Sequence, residues 1–316
     1  IFIAMGAINV LKAIEITNPY TQLFSLRLIT CFFALGAITF FVRQTQHYFK
    51  SHKIKLTYII LSYFLWFLPF LNVRFSSEIW SGLFLLLTIS FYLSEYKKKA
   101  FIIGILAGLG FLFRFQIIFS LIGFFIWGLL IAKEERKYLL KVCLSFFIII
   151  GLGILIDSFF YGEFVFTQFN YVYENIINNK SQNYGVSPWY YYLEKIITFP
   201  TLVVGIPLII SLIIFCSLKP KHIIVWTVLP FLLVHSIVGH KEERFLFPLI
   251  YYIPFILTFF YERFFYKIKA KILKIALLTI FILSNIFLTV LVSTKGTGRG
   301  RLVIAKYLHD NFSDKE

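Results

Sequence analysis

The densest chemistry in the chain lies at His240-Lys241-Glu242-Glu243-Arg244-Phe245, five consecutive ionisable residues between two long apolar runs. A cation costs about 2.5 to 3.5 kcal/mol at the centre of a membrane span and less at its edge. A cluster of both signs beside such runs is therefore either a polar connection or a site. Lys241 and Arg244 supply fixed positive charge, His240 a donor or acceptor near neutral pH, and Glu242 and Glu243 carboxylates that hold the cations in place. Pro248 disfavours helical geometry at Phe247, which predicts a loop or short turn just before the next span. Cations at a helix entrance, where backbone N–H groups are free, make a phosphate site, and the two acids weaken its field.

Other polar residues interrupt apolar sequence in the same way. Arg74 and Glu78 are four apart, a spacing that on a helix predicts an ion pair. Arg114 and Gln116 separate two apolar runs. Asp157 ends a third run and either caps structure or faces a site, a choice that position alone leaves open. Beyond it, Tyr161 and the Tyr- and Trp-rich stretch to Tyr192 fit an interfacial aromatic belt, and equally a surface for sugar rings and a polyprenyl chain.

What must position these residues is a membrane protein. Apolar residues make up 59% of the 316 positions, and the mean hydropathy is +0.82, well beyond the soluble range. The net charge of +16 is spread between apolar runs rather than gathered on one face or arm, which argues against nucleic acid as a partner. Cys31, Cys143 and Cys216 lie in apolar runs and read as small hydrophobes, and no ligand spacing predicts a metal. A Gly-x-Gly-x-Gly run at 296–300 follows no soluble strand, so it does not predict a dinucleotide site.

Apolar runs compared with about 30 Å of hydrocarbon predict spans at 1–16, 25–42, 56–72, 79–94, 100–113, 117–132, 139–159, 196–216, 223–239, 245–261 and 275–293. The expected fold class is thus an all-α polytopic transmembrane bundle of about 10 to 11 spans. It would occupy 1–294 as one domain, with 295–316 as a short tail that hinges into one short helix. Lys and Arg concentrate in the connections near 43–55, 97–99, 133–141, 219–221 and 263–274, which places those on the cytoplasmic side, next to anionic lipid. Arg74, Arg114, the 158–195 connection and the His240–Phe245 cluster then share the opposite face.

HKEERFLFP at 240–248, together with DSFFYG at 157–162, FTQFNYVYEN at 166–175, SPWYYYL at 187–193 and RFSSE at 74–78, resembles the multispanning alpha-mannosyltransferases of GPI-anchor and lipid-linked-oligosaccharide synthesis. The resemblance covers roughly 20 to 295. It implies a GT-C fold and an inverting hexosyltransferase. Such an enzyme moves mannose, or a related sugar, from a polyprenyl-phosphate donor to a lipid-linked or glycan acceptor on the non-cytoplasmic face. It implies no cofactor. It places His240, Lys241 and Arg244 on the donor phosphate with Glu242 orienting them, and Arg74, Glu78, Arg114, Asp157 and Tyr161 in the substrate-binding set. The family's general base lies in an outer loop expected upstream of Ile1, so the chain reads as lacking its first span. Arg114-Phe115-Gln116 stands where eukaryotic members commonly read Arg-Pro-Thr, which favours a bacterial-type member in a plasma membrane over one in the endoplasmic reticulum. The competing class is a polytopic transporter or lipid-glycan flippase, which should show inverted repeats and charge at mid-membrane.

Overall fold

The computed structural model describes residues 2–96, 99–294 and 299–312, and every regular element among them is helical. The chain enters with α1 (Phe2–Ala13) and α2 (Pro19–Thr45), continues through α3 (His52–Phe64) and α4 (Phe67–Leu71), and doubles back in α5 (Ser77–Leu93) and α6 (Lys99–Phe113). Next come α7 (Ile118–Trp127), α8 (Arg136–Tyr161), the short α9 (Thr167–Val172) and α10 (Tyr191–Thr198). The last elements are α11 (Leu202–Leu218), α12 (Ile223–Ile237), α13 (Ile253–Arg263), α14 (Lys271–Thr294) and α15 (Arg299–Phe312).

Among the described residues, six helical stretches are long and apolar enough to cross a membrane, and five shorter apolar helices accompany them. Each apolar run read from the sequence coincides with one of these. The runs at 79–94 and 100–113 become α5 and α6, and α5, at 17 residues, reaches about 26 Å at 1.5 Å per residue, short of a full crossing. One run and one connection differ in detail. The run at 56–72 breaks at Leu65–Trp66 into α3 and α4, and the break is stitched to α14, where Asn285 accepts from Trp66 N at 2.8 Å and donates to Phe64 O at 2.6 Å. The expected outer loop at 158–195 folds instead into α9, α10 and single turns between them. In the tail, the expected short helix is α15, whose His309 meets the Tyr20 ring edge-on at 5.7 Å. The hinge glycines Gly296 and Gly298 lie outside the described residues.

Alternate connections gather at two ends of the bundle. At one end, Tyr92 donates to Glu134 at 2.6 Å, Lys50 N to Glu262 at 3.0 Å and Trp127 Nε1 to Lys221 O at 2.8 Å. This is the end that carries most of the Lys and Arg, the one expected on the cytoplasmic side. Interior packing depends on small residues, because helices in lipid associate by close approach rather than by a hydrophobic drive. Gly104 and Gly108 on α6 face Ser145, Val142 and Ile149 of α8, and a Cβ at either glycine would collide with them. Gly82 of α5 does the same for the segment around Pro248, one turn below Glu78.

Candidate functional site

The other end of the bundle holds an ionic cluster built from three connections. Ser76 caps α5, its Oγ accepting from Ile79 N at 3.5 Å, and Glu78 follows in the first turn, where free helix N–H groups favour a carboxylate. Glu78 is only 6% exposed. Its Oε1 accepts from Arg114 Nη1 at 2.9 Å, with Arg244 Nε at 3.9 Å. Arg114 stands at the break between α6 and a single turn, Phe115–Ile117, that leads into α7. Its guanidinium covers one side of the Phe245 ring at 4.8 Å from the centroid, while that of Arg244 lies 6.0 Å from the same ring. Burial pushes the Arg114 guanidinium below its usual proton affinity and Glu78 opposes that shift. Its Nε is buried without a partner among the described residues.

Glu242 joins the remaining members. Its carboxylate takes Arg244 through Nε at 2.5 Å and Nη2 at 2.9 Å, and His240 Nε2 lies 3.2 Å away. The Arg244 bond holds the Glu242 carboxyl below the usual carboxylate range. The other His240 nitrogen, Nδ1, lies 3.1 Å from Gly185 O. This forked pairing uses part of the Arg244 donor set and leaves 56% of that side chain exposed.

Lys241 has a different occupation. Its ammonium donates to Ser187 O at 2.9 Å, Val238 O at 2.5 Å and Gly239 O at 3.5 Å, and the residue is 6% exposed. Three donors meeting three carbonyls leave none for a phosphate in this arrangement, and Lys241 instead pins the 185–187 turn against the cluster. Glu243 turns the other way. It accepts from Tyr191 Oη at 2.9 Å and lies 3.6 Å from Lys195. Burial, with Glu243 beside it, pushes the Tyr191 phenol up to about 12.

Glu243 also begins a 3-10 helix, Glu243–Tyr252, that runs through Pro248 into α13, so only His240–Glu242 form the expected turn. Pro248 has no N–H to give a regular α-helix there, and the α-helix proper begins only at Ile253. Beside it lies a half-open apolar pocket lined by Phe199, Leu246 and Phe247 and carrying Lys195 and Glu243.

The expected Arg74–Glu78 pair does not form. Arg74 lies before the cap Ser76 and outside α5, its N–H closing a turn on Leu71 O at 2.9 Å, so helical spacing does not apply to it, and its guanidinium lies 5.7 Å from the Phe70 centroid. Asp157 acts as a local staple, accepting from Thr167 Oγ1 at 2.7 Å and so tying the end of α8 to the start of α9. Tyr161 is exposed with its ring against Phe160. Neither Asp157 nor Tyr161 is hydrogen-bonded to the ionic cluster among the described residues. Sequence reading missed the Glu78–Arg114 bond, which joins positions 36 apart, and the carbonyls of Gly185 and Ser187, which carry no side-chain signal.

The model of the Alg9-like mannosyltransferase family matches residues 1–314. The chain belongs to that family. Among Alg9-like relatives, the GPI alpha-1,2-mannosyltransferase 3 of Mus musculus is 36% identical over 177 residues, 52% of this chain and 30% of the mouse protein. GPI mannosyltransferase 3 of Candida albicans is 30% identical over 183 residues, covering 58% of this chain and 34% of its own length. A probable Dol-P-Man:Man(7)GlcNAc(2)-PP-Dol alpha-1,6-mannosyltransferase of Schizosaccharomyces pombe is 36% identical over 106 residues, 33% of this chain and 18% of that protein. The chain therefore aligns with about a third or less of these Alg9-like relatives. No solved structure matches it. The relatives named are eukaryotic, so the expectation of a bacterial plasma membrane draws no support from them. The polytopic membrane architecture agrees with the family.

Proposed function

We propose that the chain transfers a mannosyl or related hexosyl residue from a polyprenyl-phosphate sugar to a lipid-linked or glycan acceptor at the non-cytoplasmic face, with inversion. The observation that carries this reading is the half-exposed Arg244 guanidinium, aimed by Glu242 and backed by Arg114 and Glu78 in a chain of the Alg9-like family. An acceptor hydroxyl, deprotonated by a general-base carboxylate, attacks the anomeric carbon as the lipid phosphate departs. Arg244, with His240 beside it, stabilises the charge that grows on the leaving phosphate, a contact stronger in the transition state than in the ground state. The apolar pocket bounded by Lys195 and Glu243 suits the isoprenoid chain of such a donor.

The test is donor choice. The full-length protein in proteoliposomes is offered mannose on a polyprenyl phosphate and, separately, on a nucleotide diphosphate. Transfer from the lipid donor alone is the expected result; transfer from the nucleotide donor alone contradicts the reading.

A further inference from the structure

The last helix, α15, is two-sided. Val303, Ile304, Tyr307, Leu308 and Phe312 fall at i, i+1, i+4, i+5 and i+9, one face of a helix of 3.6 residues per turn, and the Tyr307 and Phe312 rings meet edge-on at 6.3 Å. Each of the five is between 46% and 61% exposed, so the bundle covers little of that face. The one polar residue within it, Asn311, turns its amide back to Tyr307 O at 2.8 Å. Lys306, His309 and Asp310 occupy the opposite side. Contact with the bundle comes from that polar side: His309 meets the Tyr20 ring at 5.7 Å and is only half-buried, while the other described side chains of α15 are exposed.

The fold also fixes what lies next to this helix. α2 ends at Thr45 and α14 starts at Lys271, both at the basic end, so Tyr20 and Thr294 lie at the opposite end, with Glu78 and Arg244. α14 has 24 residues, about 36 Å at 1.5 Å per residue, which is enough to cross the hydrocarbon. None of its apolar stretch is buried by the rest of the chain, so Leu283, Phe287 and Val290 face lipid. A fully extended connection from Thr294 to Arg299 reaches about 18 Å at most, which starts α15 close to the membrane surface. A helix of 14 residues is marginal by itself in water, and this one carries Gly300 in its first turn. It needs a surface to cover its apolar face, and the nearest is the lipid from which α14 emerges.

We infer that α15 is an interfacial helix that lies along the lipid surface at the bundle end holding the ionic cluster, with Val303, Ile304, Tyr307 and Leu308 among the acyl chains and Arg301 and Lys306 at the headgroup phosphates. A helix with one apolar face and a charged opposite face lies in the interface rather than crossing it. Lys306 belongs to the polar side, and Arg301 stands one turn before Ile304; both are exposed, and their long stems can follow apolar surface while the charge reaches phosphate. The polar side meeting Tyr20 and the apolar side turned away together make α15 a strap that holds this end of the bundle at headgroup level.

The test uses the full-length protein in lipid nanodiscs, with its native cysteines replaced by Ser and one nitroxide label at a time on Val303→Cys, Ile304→Cys, Lys306→Cys, Tyr307→Cys, Leu308→Cys and Asp310→Cys. Relaxation by oxygen, which enters hydrocarbon, is compared with relaxation by a water-soluble nickel chelate. Oxygen should dominate at 303, 304, 307 and 308, and the chelate at 306 and 310. Dominance of the chelate at all six positions would place the helix in water and overturn the inference. Exclusion of both reagents from the apolar positions would overturn it as well, because a second copy or another protein then covers the face. A second measurement needs no cysteine: the full-length protein in discs doped with a diazirine-bearing phospholipid should carry lipid adducts on 303–312 as well as on α14. Leu308→Asp should lower the adducts on 303–312 about tenfold relative to those on α14. Adducts on α14 with none on 303–312 in the unaltered protein would contradict the inference.

Discussion

Two cations three positions apart, Lys241 and Arg244, do opposite things, and the difference follows from how many of their donors are already taken. The Lys241 ammonium is spent on three backbone carbonyls in a nearly closed environment. Replacing it with Met leaves those carbonyls unpaired, so Lys241→Met should destabilise the fold by about 1 to 3 kcal/mol per lost partner, read as a fall in unfolding temperature in detergent. Arg244 is held by Glu242 but open on its other side, so its loss should leave the unfolding temperature nearly unchanged. Glu78 is the member whose removal strands a buried charge. Glu78→Gln leaves the Arg114 charge buried without its acid, and breaking such a pair costs about 3 to 5 kcal/mol, measured as lost stability before any activity is assayed. An unfolding temperature equal to wild type in Glu78→Gln would show that the pair contributes nothing.

At the scale of elements, the cluster depends on helix ends being brought level. α5 supplies Glu78, the end of α6 supplies Arg114 and the 3-10 entry to α13 supplies Arg244, each fixed by a close approach at a glycine. Gly104→Val should push α6 from α8 and cost about 1 to 3 kcal/mol by overpacking, checked by unfolding temperature and protease sensitivity. A pH response belongs to this scale too. His222 caps α12, its Nδ1 accepting from Ile224 N at 3.2 Å, and burial, helped by Lys219, pushes its pKa down to about 4. An unfolded imidazole titrates near about 6.5, so the unfolded chain takes up the proton first as pH falls. The stabilisation is complete above that value and disappears as pH drops toward 4. Thermal unfolding between neutral and acid pH should show this loss, and His222→Asn, which keeps a cap acceptor, should flatten it. Spans were legible in the sequence because hydrocarbon imposes length and apolarity on each helix separately. The partner of Glu78 was not, because it is set by which helix ends meet and not by spacing along one helix. Arg74 was assigned to it on a helical period that holds only after Ser77.

For the whole molecule, the two ends of the bundle carry different chemistry: a basic end, expected at the cytoplasm, that organises connections, and an opposite end where few cations are concentrated on a shared set of acids. Single cysteines placed at Lys180 and at Lys137 should react with an impermeant maleimide from opposite sides of sealed vesicles, and reaction from one side would break the topology. A membrane enzyme of the proposed kind needs its cations where the lipid phosphate emerges from the bilayer, the role proposed for Arg244. The most direct test is sugar transfer from a polyprenyl-phosphate mannose by the full-length protein and by Arg244→Ala, with unfolding temperatures measured on the same preparations. Transfer should fall by about 10²- to 10³-fold with stability nearly unchanged, the effect of removing one donor from a charge that grows in the transition state. Transfer within about twofold of wild type in a folded Arg244→Ala protein, far short of that loss, would contradict the account.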